Sequence, residues 1–197
     1  MTAHAPAPTQ VPDWLVGEMP PGYETRLGEI RRLASELREM VSIGRVLWET
    51  GKPLEDAVVA VFAALKHEVG AAPGVPGALG VKLDGQKRLL VHVARAAGAI
   101  QKTSEELAQV FQLVQFAGPN DRVVLVANND VALRPADRPD PVAQDALAVL
   151  QRIGVNVATT GTLFGLWRLS FEDPRRVATL LDRLHAQDGG ALVSAAR

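Results

Sequence analysis

The stretch Val81-Lys82-Leu83-Asp84-Gly85-Gln86-Lys87-Arg88-Leu89-Leu90-Val91-His92-Val93 decides how this chain folds. Asp-Gly is a favoured pair at the tip of a tight hairpin, because the turn needs a left-handed backbone that Asp tolerates and Gly adopts freely. The apolar residues on either side then read as two antiparallel strands, the returning one the more apolar. Toward the carboxyl terminus, Thr103 followed by Glu106 reads as a capping box that opens a helix with Leu107, Val110, Phe111 and Val114 on one face. That helix ends near Gly118-Pro119. Val123-Val124-Leu125-Val126-Ala127 is an unbroken apolar run of strand length, as expected of a strand covered on both faces. A helix over 142–152 and a strand at Val155-Asn156-Val157-Ala158 complete a βαβ unit, whose crossover makes its two strands parallel. Helices over 162–169 and 174–186 precede a Gly189-Gly190 tail.

Toward the amino terminus, the Gly- and Pro-rich residues 70–80 read as a loop, after a strand candidate at 67–69. A helix over 54–66 buries Ala57, Val58, Val61, Phe62 and Leu65, with Pro53 at its first position and Glu55 and Asp56 in its first turn. Before the Thr50–Pro53 break, Leu27, Ile30, Ala34, Leu37, Val41, Gly44 and Trp48 step by three and four residues, the spacing of a coiled-coil seam. Pro6, Pro8, Pro12, Pro20 and Pro21 mark a flexible arm with one docking point, Trp14-Leu15-Val16. The expected organisation is an arm (1–22), a long amphipathic helix (23–50), an α/β domain (51–187) and a flexible tail (188–197). The fold class is α/β, a mixed central sheet with helices on both faces.

Of 197 residues, 21 are Lys or Arg and 22 Asp or Glu, so the net charge of -1 offers no bulk attraction to nucleic acid or anionic membrane. No apolar run approaches the roughly 18 residues of a membrane span. Cysteine is absent, which excludes disulfides, thiolate metal sites and cysteine nucleophiles. Residues 1–21 lack the basic region and apolar core of a signal peptide, so a cytoplasmic protein is expected.

The order helix, strand, hairpin, helix, strand, helix, strand, together with Gly51-Lys52-Pro53-Leu54-Glu55, Leu90-Val91-His92-Val93-Ala94, Gly98-Ala99-Ile100, Val123 to Asn128 and Thr159-Thr160-Gly161-Thr162-Leu163-Phe164, resembles the PD-(D/E)XK or restriction-endonuclease-like superfamily. The similarity is to bacterial members with a coiled-coil-like helix before the nuclease core. It implies metal-assisted phosphodiester hydrolysis, in which an Asp near the second strand and the Glu of a Glu-x-Lys on the third hold Mg²⁺ while the Lys positions water. Here the Glu and Lys positions are His92 and Ala94, and the acidic position falls near Gly80. Glu55 matches an acidic residue on the family's first helix, so Glu55 and His92 read as remnants of a degenerate site. A lone imidazole is a poor ligand for Mg²⁺, which takes oxygen donors.

Lys82, Lys87, Arg88, Arg95 and Lys102 face only Asp84 between residues 80 and 102, the strongest local basic excess and a candidate DNA-binding surface. The four histidines (4, 67, 92 and 185) show no metal-binding spacing, and no phosphate loop or nucleophile elbow follows a strand. Asn128-Asn129-Asp130 with Arg134 and Arg138 follows a strand end, the usual place for a ligand in α/β sheets. The leading expectation is a catalytically inactive pseudonuclease serving as a binding or assembly module in a bacterial DNA-processing or defence system. It needs no cofactor. DNA, another protein of the same system, or a second copy docked through Leu27, Ile30, Leu37 and Val41 would be its partner, forming a dimer in the last case. Two alternatives stay open: a divergent Mg²⁺-dependent nuclease using Glu55, Asp84 and His92, and a protein-only scaffold or adaptor.

Overall fold

The computed structural model describes residues 14–95, 98–187, 189 and 192–193. The chain divides into two compact units, Met1–Met40 and Val41–Arg197. In the first, a single helical turn, α1 (Leu15–Glu18), leads into the long α2 (Tyr23–Gly44), which crosses into the second unit. Most of the proline-rich arm lies outside the described residues, and Trp14 at its end is exposed.

The second unit begins before the expected boundary at residue 51. Ile43 at the end of α2 and Val46 in the 3-10 turn Arg45–Leu47 are buried in the α/β core, so these residues belong to it. Then follow α3 (Gly51–Ala64), β1 (Glu68–Ala71), β2 (Leu79–Lys82), β3 (Arg88–Val93), α4 (Glu105–Phe116), β4 (Asp121–Ala127), α5 (Gln144–Arg152), β5 (Asn156–Thr159), α6 (Thr160–Ser170), α7 (Pro174–Ala186) and β6 (Leu192–Val193). The strands lie side by side in chain order. β1, β2 and β3 form an antiparallel meander, and β3 through β6 run parallel. The mixed sheet is therefore the α/β architecture expected. No described helix is long and apolar enough to cross a membrane.

Side-chain alternation along β3 and β4 builds two cores. Leu89, Val91, Val93, Val124 and Val126 meet α3, α6 and α7 on one face. Leu90, Ala94, Val123, Leu125 and Ala127 meet α4 and α5 on the other. Helix ends follow local chemistry: Thr159 caps α6 by accepting from the Thr162 amide, and Asp173 caps α7 by accepting from the Arg176 amide, with Pro174 just inside. Gly154 at φ 72 ends α5. Lys66 makes the same left-handed turn after α3 at φ 69, where the His67 and Lys66 amides donate to the Phe62 and Ala63 carbonyls.

Four expectations change. The loop is shorter than residues 70–80, because Gly70 and Ala71 pair with Gly80 and Leu79 and both strands extend into it. Pro53 sits at the third helical position rather than the first, since α3 starts at Gly51. Thr103 and Glu106 form no capping box: Ser104 precedes α4 without capping it, and its hydroxyl accepts from the Gln101 amide. The tail is not all loop, for Leu192 and Val193 pair with Val157 and Ala158 at the free edge of the sheet.

The β1–β2 loop packs on the end of α4. Gly74, at φ 79, leaves no room for a side chain, because a Cβ there would lie 2.1 Å from Cδ2 of Phe116. Phe116 is half exposed and can swing aside. Gly74→Ala should therefore destabilise by about 1–2 kcal/mol, mostly backbone strain, as read from urea unfolding midpoints.

Candidate functional site

The carboxyl ends of parallel strands are where α/β sheets place ligands. At that edge Glu55, which lies beyond the first turn of α3 because the helix starts at Gly51 rather than at residue 54, is buried. Its Oε1 accepts from Arg95 Nη2 at 2.7 Å and Nε at 3.2 Å. Lys52 Nζ stands 3.5 Å from Oε2 and 2.8 Å from Asp56, whose hydrogen bond raises the lysine pKa, with help from Glu55. Gly77 lets the loop pass close by, since a Cβ there would lie 3.3 Å from Arg95 Nη2. Glu55 is thus engaged by two cations.

His92 projects from β3 in phase with Leu90 and Ala94, toward α4, whereas α3 packs on the face of Val91 and Val93. It is buried and its Nε2 has no hydrogen-bond partner among the described residues. Burial lowers its pKa below the ordinary 6.5, and Arg95 adds to the lowering. The Glu106, Glu55 and Glu105 carboxylates oppose it, Glu106 most. Ala94 is buried and offers no functional group.

A second polar cluster holds the ends of β4 and β5. Asn128 is buried and donates from Nδ2 to the Glu49 carbonyl at 2.9 Å. Its Oδ1 accepts from Arg138 Nη1 at 2.6 Å and from the Thr160 hydroxyl at 2.7 Å. Arg138 Nη2 also donates to the Leu47 carbonyl at 2.5 Å, and burial lowers the guanidinium's pKa. Asn129 Nδ2 donates to Asp130 and to the Pro139 carbonyl. These groups satisfy one another, tying the 128–141 loop to the 47–49 segment. The sequence flagged Asn128 and Arg138 but could not show that they are bonded together.

The five cations of the candidate DNA surface do not form one patch. Lys82, Lys87 and Arg88 lie at the amino end of β3, and Arg95 lies beyond its carboxyl end, about 23 Å along the strand from Arg88. Lys82 pairs with Glu68 at 2.7 Å and Lys87 with Asp182 at 2.6 Å. Arg88 grips Asp121 through Nε at 2.8 Å and Nη2 at 2.7 Å. The guanidinium holds the Asp121 carboxyl below its usual pKa, with the Gly118 amide assisting, and Asp121 in turn raises that of Arg88. Lys102 is exposed in the turn before α4. A cleft of about 450 Å³ lined by Lys82, Lys87, Arg88, Asn120 and Asp121 opens at the amino edge, opposite the expected place.

Asp84, the third residue of the alternative nuclease set, is exposed in the hairpin turn at that amino edge, so the fold keeps it apart from Glu55 and His92. Among the described residues, no three His, Asp or Glu side chains group to hold a metal ion. Glu55, His92 and Ala94 do not fit a Mg²⁺ site. Comparison with family models, with curated proteins and with solved structures finds no match for this chain.

Two outcomes follow. Arg95→Ala strips the buried Glu55 carboxylate of its main partner and should cost about 1–3 kcal/mol in urea unfolding, reduced by the exposure of the arginine. A histidine whose folded pKa lies below its unfolded value binds fewer protons when folded. Its contribution is therefore complete above pH 6.5 and is lost as pH falls below it. His92→Leu should flatten the pH dependence of the unfolding midpoint below about pH 6.5, while Asp121 acts only below its ordinary 3.8.

Proposed function

We propose that this chain is a nuclease-like domain of the PD-(D/E)XK kind that binds or assembles instead of cutting, within a bacterial DNA-processing or defence system. The observation that carries the reading is the state of the carboxyl edge: Glu55 is neutralised by Arg95 and Lys52, while the strand positions for Glu and Lys hold a buried His92 and Ala94. A hydrolytic site needs a carboxylate free to hold a cation and a group to orient water. Here the guanidinium takes the place next to the carboxylate.

The partner favoured is protein. Four of the five candidate phosphate-binding cations already share their charge with a carboxylate, and displacing Glu68, Asp182, Asp121 or Glu55 would offset what a phosphate gives. The apolar residues of α2 are instead exposed: Ile30 is 62%, Leu37 62% and Val41 54% accessible. Exposed apolar surface gathered on one helix face is the mark of a protein contact.

Supercoiled plasmid incubated with the purified chain and Mg²⁺ or Mn²⁺ should remain supercoiled, and labelled duplex DNA should show no saturable anisotropy change at about 150 mM salt. Metal-dependent cutting that Glu55→Gln abolishes would overturn the reading in favour of an enzyme. Saturable binding that weakens steeply with salt would move the partner from protein to DNA.

A further inference from the structure

α2 spans 22 residues, about 33 Å of helix. At 100° per residue its apolar side chains fall on one stripe: half-buried Leu27 and exposed Ile30, Ala34, Leu37 and Val41 along the seam, with Leu33 and Met40 exposed on one edge. The seam stops there, earlier than the spacing suggested, because Gly44 is buried beneath Trp48. From residue 29 to 38 the two flanks carry opposite charge, while Glu24 lies on the arginine flank ahead of them. Arg31 and Arg38 border the edge of Leu27 and Ala34, and Glu29 and Glu36 border the edge of Leu33 and Met40.

We infer that the stripe binds the same stripe of a second copy, with the two helices parallel and in register. This rests on the assembly reading above and adds its geometry. In a parallel pair each flank meets the opposite flank of its partner, so the arginine row of one helix lies along the Leu33–Met40 edge and the glutamates of the other. In an antiparallel pair like flanks meet, placing Arg31 and Arg38 against arginine and Glu29 and Glu36 against glutamate. Both orientations bury the same seam, so the flanking charges decide between them. Arg38 Nε in the single chain donates to its own helix, at the Ala34 carbonyl, and Arg32 pairs with Glu36 at 2.5 Å. The Arg32–Glu36 pair lies away from the seam, and the Arg38 bond is to the backbone of a seam residue. Arg26 sits on the stripe one heptad before Leu33 and would face the partner's Arg31, which sets the amino-terminal limit of the pairing.

The chain has no cysteine, so single cysteines report orientation without background. Light scattering should give twice the 21.0 kDa of one chain. On mild oxidation, Ile30→Cys alone and Val41→Cys alone should each give a covalent dimer in majority yield, since a seam residue of a parallel pair faces its own copy within disulfide reach. Glu39→Cys, on the far side of the helix, should yield at least tenfold less. If neither seam variant bridges alone but a mixture of the two does, the pair is antiparallel and the inference falls while self-assembly stands. A mass of 21.0 kDa at all concentrations would remove self-assembly itself, and the pairing with it.

Discussion

The rest of the α/β unit depends on the parallel pairing of β3 with β4, from Arg88 opposite Asp121 to Val93 opposite Val126. Both strands are apolar on alternate and intervening positions, so neither face can meet water, and helices must cover both. The same pairing brings Arg88 against Asp121 at one end, closing the strands with a bidentate ion pair in which the carboxylate is the buried member. At the other end, the chain leaves β3 and β4 beside the start of α3. This places Arg95 against Glu55, and Asn128 against the Glu49 carbonyl.

At that carboxyl edge the polar groups bind one another. Here Asn128 uses donor and acceptor on Glu49, Arg138 and Thr160, and Glu55 is shared between Arg95 and Lys52. Internal satisfaction makes the edge stabilising, because each bond covers a buried group that would otherwise be orphaned. The exception is His92, whose Nε2 has no partner among the described residues and whose cost is limited by staying neutral.

The strands and helices were largely legible because their signals are local. The Val123–Ala127 run and the Asp84-Gly85 turn each identify an element from a few adjacent residues. β6 was not, since Leu192 and Val193 are two residues beside a double glycine and become a strand only against β5. The capping box failed for a related reason: Ser104, one residue later than Thr103, precedes the helix, and its hydroxyl serves Gln101 instead. The candidate site was least legible. A count of lysines and arginines over 80–102 ignores partners that lie far along the chain, and Glu55, Asp121 and Asp182 are 40, 33 and 95 residues from the cations they neutralise. Local charge excess and surface charge excess are different quantities wherever a sheet pairs distant segments.

α2 obeys the opposite logic, and that is why its sequence pattern remains informative. A helix face has only neighbours three and four residues away, so the spacing of its apolar and charged positions is already the layout of its surface. The exposed Ile30, Leu33, Leu37, Met40 and Val41 are too many on one stripe to be the scattered apolar residues of an ordinary surface. Contributions within the helix, such as the Arg32–Glu36 pair, are worth a few tenths of a kcal/mol and do not require an apolar face at all. Unlike the carboxyl edge of the sheet, the stripe has no partner within its own helix, and the proposed pairing would supply one.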